Sequence, residues 1–361
     1  MSVPASRSLV FAVVLAACGG SSPVTSSDSP TPPGAVGVGP DGGLDHVDPA
    51  VDDAGRPTEA STVSTDSVEI LAEPSDRASR LLGAINGAKT SIHVTMYLLG
   101  DKRFIDALVA QTRAGLDVKV VLNKSFPPGG GTGNQPAFDT LTAAGVSVKW
   151  APVGFTLTHE KCVLVDRKQA WIMTMNLESS SSQNREFLAI DTHPADVDEA
   201  EAVFAGDYAN MPVVPTGALL VAPVNARDRL VALIQSAKTS VDVEGEEMSD
   251  TKIVGALVAA KKAGFAVRVV LPKPTRPASS AQGAAVRDLT AAGVVVVSVA
   301  TPYIHAKAIV VDGARAYVGS ENYTTGSLQY NRELGLITDN AAAVAVVAST
   351  ITKDAASGVP Y

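Results

Sequence analysis

Apolar and polar residues alternate in blocks that predict helices and strands in regular succession from about residue 77 onward. Apolar residues with helical spacing cover 77–88, 102–114 and 136–144, and Gly115 and Gly145 supply helix ends. Runs rich in Val, Ile and Leu, typical of strands buried on both faces, lie at 91–99, 117–122, 146–150, 158–165 and 170–175. This alternation predicts an α/β protein with helices on both sides of a mixed sheet.

The second half of the chain repeats this pattern. The segment Ala-Lys-Thr-Ser at 88–91 recurs at 237–240, and Thr-Ala-Ala-Gly-Val at 142–146 recurs at 290–294. Further strand-like runs rich in Val lie at 266–271, 294–299, 308–311 and 316–318. We therefore predict two tandem repeats, each a mixed β-sheet flanked by helices and each of ordinary domain size, over 75–211 and 212–361.

The segment before the repeats has a different composition. Arg7 precedes an apolar run too short to span a bilayer, which predicts a secretory signal peptide over residues 1–17. The run ends in Leu-Ala-Ala-Cys-Gly, which resembles the lipobox of bacterial lipoproteins and implies that Cys18 is lipidated. The alternative is an ordinary signal peptide in which Cys18 is incidental. Residues 18–74, rich in Ser, Pro and Asp, predict a disordered tether.

The net charge of −8 comes from the residues before the predicted fold, −9 from the tether and +1 from Arg7. Ten of the 37 acidic residues precede Asp76, which leaves 27 acidic and 27 basic residues from Asp76 onward. Proteins that bind nucleic acid usually carry an excess of basic surface, so the neutral fold makes nucleic acid a less favoured partner.

One set of four polar residues occurs once in each repeat with identical spacing. The residues are His159, Lys161, Asp166 and Asn176 in the first repeat, and His305, Lys307, Asp312 and Asn322 in the second. Isolated core histidines would not explain the duplicated lysine and asparagine. The duplication predicts that the repeats bring two histidines and two lysines into one site.

Spacing along a strand separates the reactive groups of this set from a structural one. Side chains alternate between faces, so His159 and Lys161 share a face, whereas Asp166 lies seven residues on and faces the other way. We therefore predict that Asp166 and Asp312 are structural. One neutral imidazole can attack phosphorus, a second protonated one can donate to the leaving oxygen, and ammonium and amide groups stabilise the developing charge. Such a set predicts phosphodiester chemistry.

The segments 159–166 and 305–312 resemble the paired HKD motifs of the phospholipase D superfamily. The second is followed by Gly-Ser-x-Asn at 319–322, as in that family, whereas the first has Met173 in place of the glycine. The resemblance covers residues 76–340. It implies a phospholipase D-like fold with the active site between the repeats, a histidine nucleophile, a histidine acid, and no metal or other cofactor.

The resemblance also implies a role for each matched residue. Those implied to be catalytic are His159, Lys161, Asn176, Glu186, His305, Lys307, Asn322 and Glu333. Those implied to bind substrate are Thr174 and Ser320. In the family a downstream acidic residue orients the histidine, and Glu186 and Glu333 match it, although both could pair with neighbouring arginines instead. The N-terminal motif usually supplies the nucleophile, which favours His159.

One difference between the repeats bears on the substrate. Where the first repeat reads Thr-Met-Tyr-Leu at 95–98, the second reads Glu-Gly-Glu-Glu at 244–247. Carboxylates beside the cleft would favour a cationic head group such as choline or ethanolamine, and the alternative is that these glutamates face solvent.

These observations together predict a phospholipase D-like hydrolase that removes phospholipid head groups through a phosphohistidine intermediate. A lipid on Cys18 would hold it at a membrane of the bacterial cell envelope, and one chain with both motifs makes a monomer sufficient. The alternatives are a nuclease of the same superfamily, a phosphatidyltransferase resembling cardiolipin synthase, and a catalytically silent lipoprotein that binds the envelope.

Overall fold

The computed structural model describes residues 67–126 and 133–361. The predicted signal peptide, the predicted lipidation site Cys18 and residues 18–66 of the predicted tether lie outside the described residues. In the described part of the chain, no helix combines the length and the apolar character needed to cross a membrane.

Two β-sheets with associated helices make up the described part. The strands of the first repeat are β1 (Val68–Glu73), β2 (Ser91–Met96), β3 (Asp117–Leu122), β4 (Ser147–Trp150), β5 (Lys161–Val165), β6 (Gln169–Met173) and β7 (Glu186–Asp191). Its helices are α1 (Ser79–Gly87), α2 (Lys102–Arg113), α3 (Gln135–Ala143) and α4 (Pro194–Ala209), with a 3₁₀ turn at Ser179–Gln183.

The second repeat contains equivalent elements in the same order, with the helix α8 where the first repeat has its 3₁₀ turn. Its strands are β8 (Leu220–Ala222), β9 (Ser240–Gly245), β10 (Ala266–Pro272), β11 (Val295–Val299), β12 (Lys307–Val311), β13 (Arg315–Gly319) and β14 (Glu333–Thr338), and β15 (Val359–Pro360) follows at the C-terminus. Its helices are α5 (Ala226–Gln235), α6 (Thr251–Lys262), α7 (Ala281–Ala291), α8 (Thr325–Tyr330) and α9 (Ala341–Ser357).

The two sheets share one topology. The first has the strand order β1-β7-β6-β5-β2-β3-β4, and the second has β8-β14-β13-β12-β9-β10-β11 with β15 added at the far edge. In each sheet the three strands β2-β3-β4 or β9-β10-β11 are parallel to one another, and the remaining pairs are antiparallel. The predicted α/β fold of two mixed-sheet repeats flanked by helices is confirmed.

Burial on both faces explains why the motif strands read as continuous apolar runs. All five residues of β5 are buried, and so are all five of β12. Cys162 and Leu164 of β5 pack into a core that the two sheets share with α4 and α9, whereas Val163 and Val165 pack into a second core with α1, α2 and α3. The motif histidines therefore lie just before central strands that both repeats hold rigidly.

The predicted start of the fold is wrong by several residues. Residues 68–73, assigned from composition to the end of the tether, form β1 at the edge of the first sheet, antiparallel to β7. Val68 and Ile70 are buried in the shared core. The buried Glu73 carboxylate accepts backbone N–H bonds from the chain entering α1, including that of Ala78 at 3.2 Å. The polar residues before this six-residue strand dominate the local composition, so composition alone does not distinguish the strand from the tether.

Candidate active site

Each motif histidine is paired with a glutamate of the other repeat. Nδ1 of His159 lies 2.9 and 3.0 Å from the two carboxylate oxygens of Glu333. Nδ1 of His305 lies 2.7 Å from Oε1 of Glu186. All four residues are buried, and the two pairs lie where the repeats meet. The structure thus brings together the residues that the sequence predicts to share one site.

Backbone contacts between the repeats set the register of these pairs. The N–H of His159 donates to the carbonyl oxygen of Arg332 at 2.8 Å, and the N–H of His305 donates to that of Arg185 at 3.2 Å. Each arginine immediately precedes the glutamate that faces the histidine. Because hydrogen bonds fix the backbone next to both partners, the histidine and glutamate are held opposite one another.

The two arginines themselves pair elsewhere, so the alternative pairing with the glutamates does not occur. Nε of Arg332 donates to Asp207 at 2.8 Å, and Nη2 of Arg185 donates to Asp354 at 3.1 Å. Both ion pairs are buried. The carboxylates of Glu186 and Glu333 therefore remain available to the histidines.

The two motif lysines are fully buried beside the histidines. Nζ of Lys161 donates to the carbonyl oxygen of His159 at 2.5 Å, and Nζ of Lys307 donates to that of His305 at 2.6 Å. Burial lowers the pKa of Lys161 to about 7. The two ammonium groups are placed to bind the nonbridging oxygens of a phosphodiester held between the histidines.

The surroundings of His159 favour the neutral imidazole. Burial lowers its pKa to about 4, although the Glu333 carboxylate acts in the opposite direction. The ring of Tyr97 packs edge-on against the imidazole, with 4.5 Å between the ring centroids. Glu333 is held in turn by the hydroxyl of Ser327 at 2.6 Å and the amide of Asn331 at 3.2 Å. With Nδ1 hydrogen-bonded to Glu333, the lone pair of Nε2 is free to attack.

His305 has a carboxylate at each ring nitrogen. Besides Glu186 at Nδ1, Oε2 of Glu246 lies 3.4 Å from Nε2 and 2.9 Å from Nζ of Lys307. Burial would raise the pKa of Glu246, but the neighbouring positive groups His305 and Lys307 bring it well below its usual range. Sequence reasoning did not name Glu246 as a site residue, although the glutamates at 244–247 drew attention to this segment.

Asn176 and Asn322 lie three residues after the ends of β6 and β13, at equivalent places in the two repeats, and Asn176 is buried whereas Asn322 is partly exposed. Nδ2 of Asn322 donates to Oε2 of Glu246 at 3.4 Å. Thr174 and Ser320, which are predicted to bind substrate, are fully buried, and their hydroxyls hydrogen-bond the glutamates of the site.

The hydroxyl of Thr174 donates to Glu186 at 2.5 Å. The hydroxyl of Ser320 accepts the backbone N–H of Leu334 at 3.1 Å and hydrogen-bonds the Glu333 carboxylate. Both hydroxyls therefore position the glutamates that face the histidines.

The motif aspartates lie at tight turns away from the histidine–glutamate pairs. Asp166 and Asp312 adopt left-handed backbone conformations, with φ of 56° and 55°. Their carboxylates accept backbone N–H groups at the start of β2 and β9, including those of Thr90 at 2.7 Å and Thr239 at 2.8 Å. These contacts tie each β5–β6 or β12–β13 turn to a neighbouring strand, as a structural role requires.

The glycine missing from the first motif has a local explanation. In the second repeat a Cβ on Gly319 would approach the Tyr317 hydroxyl to 2.5 Å and the Cα of Gly335 to 2.7 Å, and it would also meet the Glu321 carboxylate. The first repeat fills the same region with apolar side chains, among them the buried Met173. The difference therefore reflects packing under the sheet rather than loss of a group at the histidines.

Comparison with known proteins places the chain in a family. The family described as "Cardiolipin synthase, PLD-like domain" matches residues 81–208 and 230–355, once in each repeat and over most of the chain. The chain belongs to the phospholipase D superfamily. The two motifs that suggested this membership lie one in each of the matched segments.

Curated relatives within the superfamily are cardiolipin synthases by name. The chain is 24% identical over 344 residues to the major cardiolipin synthase ClsA of Bacillus subtilis, covering 80% of this chain and 68% of that protein. It is 25% identical over 307 residues to cardiolipin synthase 2 of Bacillus cereus, covering 70% of this chain and 58% of that protein. The chain thus spans between about three fifths and two thirds of the lengths of these relatives.

Solved structures share the fold at low sequence identity. Phosphatidylserine synthase from Haemophilus influenzae superposes with a TM-score of 0.65 at 12% identity, over 83% of this chain and 89% of that one. Polyphosphate kinase from Porphyromonas gingivalis superposes with a TM-score of 0.62 at 16% identity, over 79% of this chain and 46% of that one. These likenesses establish the two-repeat architecture.

Proposed function

We propose that the protein cleaves a phosphodiester bond of a phospholipid and transfers the phosphatidyl group to an alcohol. The observation that carries this proposal is the pair of histidines, each oriented by a glutamate of the other repeat and each beside a buried lysine. Two imidazoles facing one phosphorus provide a nucleophile and a proton donor for in-line displacement.

In the first step, Nε2 of His159 attacks phosphorus and the bond from phosphorus to the head-group oxygen breaks. The leaving oxygen takes the Nε2 proton of His305. Assignment of the attack to His159 is supported by the burial that keeps its imidazole neutral, and His305, the other motif histidine, is then the proton donor. The product of the step is a phosphatidyl group bonded to His159.

In the second step, an alcohol reacts with this intermediate. The alcohol gives its proton to Nε2 of His305, its oxygen bonds to phosphorus, and the bond from phosphorus to His159 breaks. Lys161 and Lys307 neutralise the nonbridging oxygens in both steps. Water in place of the alcohol would give phosphatidic acid, so hydrolysis and transfer use the same residues and differ only in the acceptor.

Transfer is proposed ahead of hydrolysis because the curated relatives are cardiolipin synthases by name. The sequence by itself predicts a phospholipid hydrolase first, with a nuclease of the same superfamily and then a phosphatidyltransferase as the enzymatic alternatives. The matching family and the curated relatives carry the name cardiolipin synthase, which supports transfer at least as well as hydrolysis. The folded part from Val68 onward has 29 acidic and 27 basic residues, and this lack of basic excess makes a phospholipid a better candidate substrate than a nucleic acid.

The test is phosphorus NMR of phosphatidylglycerol vesicles incubated with the protein in EDTA. Transfer would give cardiolipin and free glycerol, whereas hydrolysis would give phosphatidic acid. The variants His159→Ala and His305→Ala serve as controls and should leave the spectrum unchanged. An unchanged spectrum with the unaltered protein, on this lipid and on phosphatidylethanolamine and phosphatidylcholine, would refute phospholipid cleavage.

We further propose that a lipid on Cys18 anchors the protein at the bacterial cell envelope. The support is the lipobox-like sequence at 15–19, which lies outside the described residues. Metabolic labelling with radioactive palmitate should mark the unaltered protein and fail to mark a Cys18→Ala variant. Equal labelling of the two would rule the anchor out.

A further inference from the structure

Glu246 and Tyr97 occupy equivalent positions in the two repeats. Tyr97 follows β2, and its N–H donates at 3.1 Å to the carbonyl oxygen of Glu160, the residue after His159. Glu246 follows β9, and its N–H donates at 3.1 Å to the carbonyl oxygen of Ala306, the residue after His305. The same backbone geometry thus presents an aromatic ring to one histidine and a carboxylate to the other.

The Glu246 carboxylate touches the reactive groups of its own repeat directly. Oε2 lies 2.9 Å from Nζ of Lys307, and it lies 3.4 Å from both Nε2 of His305 and Nδ2 of Asn322. Oε1 accepts the hydroxyl hydrogen of Tyr303 at 3.1 Å. The Glu246 carboxylate therefore lines the site.

The neighbouring glutamates, Glu244 and Glu247, lie away from the motif residues. Glu244 is fully buried within the second sheet, and Glu247 pairs with the exposed Arg276. Among the three glutamates of 244–247, Glu246 alone contacts the motif residues in the described structure. Any effect of this segment on substrate choice therefore depends on Glu246.

Glu246 lies on the side of the site where the alcohol must bind. In the proposed mechanism, Nε2 of His305 exchanges a proton with the oxygen of the leaving or accepting alcohol. A group 3.4 Å from that nitrogen is next to the alcohol oxygen and to the carbon atoms attached to it.

We propose that Glu246, with Tyr303, selects the alcohol by accepting hydrogen bonds from additional hydroxyl groups on an uncharged polyol. This inference rests on the proposed function and identifies the residue that sets its acceptor preference. A carboxylate has about four lone-pair positions, and Oε1 accepts only the Tyr303 hydroxyl in the described structure. Acceptor capacity thus remains for a second hydroxyl of the alcohol.

Charge favours an uncharged polyol over a cationic alcohol beside the Glu246 carboxylate. The negative charge of Glu246 is already balanced by the buried ammonium of Lys307 at 2.9 Å. A quaternary ammonium placed against Glu246 would lie close to that ammonium and be repelled by it. The preference for choline or ethanolamine predicted from the glutamate segment is therefore replaced by a preference for hydroxyl groups.

The test measures which alcohol captures a common intermediate. Phosphatidyl-p-nitrophenol serves as the donor, so that every acceptor competes for the same phosphatidyl-enzyme regardless of the original head group. Deuterated glycerol, propan-1-ol and choline are supplied together at equal concentration, and mass spectrometry gives the ratio of the three lipid products. Release of nitrophenol reports formation of the intermediate separately from its capture.

The unaltered protein should form the glycerol product in excess over the other two. Glu246→Gln should reduce the glycerol-to-propanol ratio about tenfold, since it weakens the hydrogen bonds by which the site recognises a hydroxyl. Tyr303→Phe keeps the charge of Glu246 and should reduce the ratio by a smaller factor, about threefold. Glu247→Gln is the matched control, and its ratio should equal that of the unaltered protein.

Two results would overturn the inference while leaving the proposed function in place. One is a product ratio unchanged by Glu246→Gln although nitrophenol is released and alcohol products form. The other is capture by choline in preference to glycerol, which would show recognition of a cation. Absence of nitrophenol release by the unaltered protein would instead remove the proposed function, and this inference with it.

Discussion

The two halves of the site contain the same histidine, lysine and asparagine, yet they surround the histidines differently. His159 packs against the ring of Tyr97 and has one carboxylate, at Nδ1. His305 has a carboxylate at each nitrogen, because Glu246 takes the place that Tyr97 has in the first repeat. The repeats provide two equivalent half-sites, and one sequence difference, Tyr97 against Glu246, gives the two histidines different surroundings.

The strongest challenge to this comparison is to remove each histidine and supply a substrate that needs no proton donor. His159→Ala should abolish release of nitrophenol from phosphatidyl-p-nitrophenol, because no nucleophile remains. His305→Ala should lose about 10²- to 10⁴-fold on phosphatidylglycerol but retain most of its nitrophenol release, because nitrophenolate leaves without protonation.

Initial nitrophenol release, measured in a stopped-flow spectrophotometer, separates the two variants. A trapped phosphohistidine should be recoverable from His305→Ala and absent from His159→Ala. The reverse distribution would exchange the roles of the two halves, and equal loss in both variants on both substrates would show that the halves are not specialised.

Replacing the glutamates that pair with a histidine of the other repeat should give the same pattern of rate losses, but smaller ones. Glu333→Gln removes the carboxylate that orients His159 and should slow nitrophenol release at least about a hundredfold. Glu186→Gln acts on His305 and should slow reaction with phosphatidylglycerol while largely sparing nitrophenol release. Initial rates on the two donors give the comparison.

Glu321→Gln is the control for these variants. Glu321 is fully buried, and burial together with the charge of Glu333 raises its pKa to about 8, so it is protonated at neutral pH. An uncharged amide replaces an uncharged acid there, and the rate should change little. A loss as large as that of Glu333→Gln would show that such variants report general damage to the core.

Local sequence pattern was sufficient to predict the fold and the motif residues. The strands that carry the motifs are buried on both faces, so continuous apolar runs such as 161–165 marked them, and the repeat identified their partners. Asp166 could be separated from the histidines because the alternation of faces along a strand is a local rule.

Contacts between the repeats could not be predicted in the same way. The pairing of His159 with Glu333 joins residues 174 positions apart, and its geometry depends on how the two sheets pack. The same limit applies to Thr174 and Ser320, whose hydroxyls turn toward the buried glutamates. β1 was missed for a different reason, since polar neighbours hide a short edge strand.

The pH dependence of kcat/KM should report the protonation of His159 and Lys161, the reactive groups of the first repeat. His159 must be neutral to attack, and its lowered pKa of about 4 means that activity falls only as the pH drops through about 4. Lys161 must be charged to bind phosphate, and its lowered pKa of about 7 means that activity falls as the pH rises through about 7. Each limb should approach a tenfold loss per pH unit.

Lys161→Arg identifies the alkaline limb. Arginine stays protonated throughout the accessible range, so the limb near pH 7 should move above pH 9 even if the maximal rate falls. Initial rates with the nitrophenol donor in the unaltered protein and the variant provide the measurement. A limb that stays near pH 7 in the variant would assign it to another group.

The smallest effect concerns the one motif position where the repeats differ in packing, Met173 against Gly319. Gly319→Ala should lower the free energy of unfolding by about 1–3 kcal/mol, because its methyl group would overlap the Tyr317 hydroxyl and the Cα of Gly335. Gly326→Ala is the control, since its new Cβ would meet only the Thr324 hydroxyl at 3.8 Å. Thermal unfolding of the two variants gives the comparison. If Gly319→Ala proved as stable as the control, crowding would not explain the glycine, and Met173 could not be attributed to packing alone.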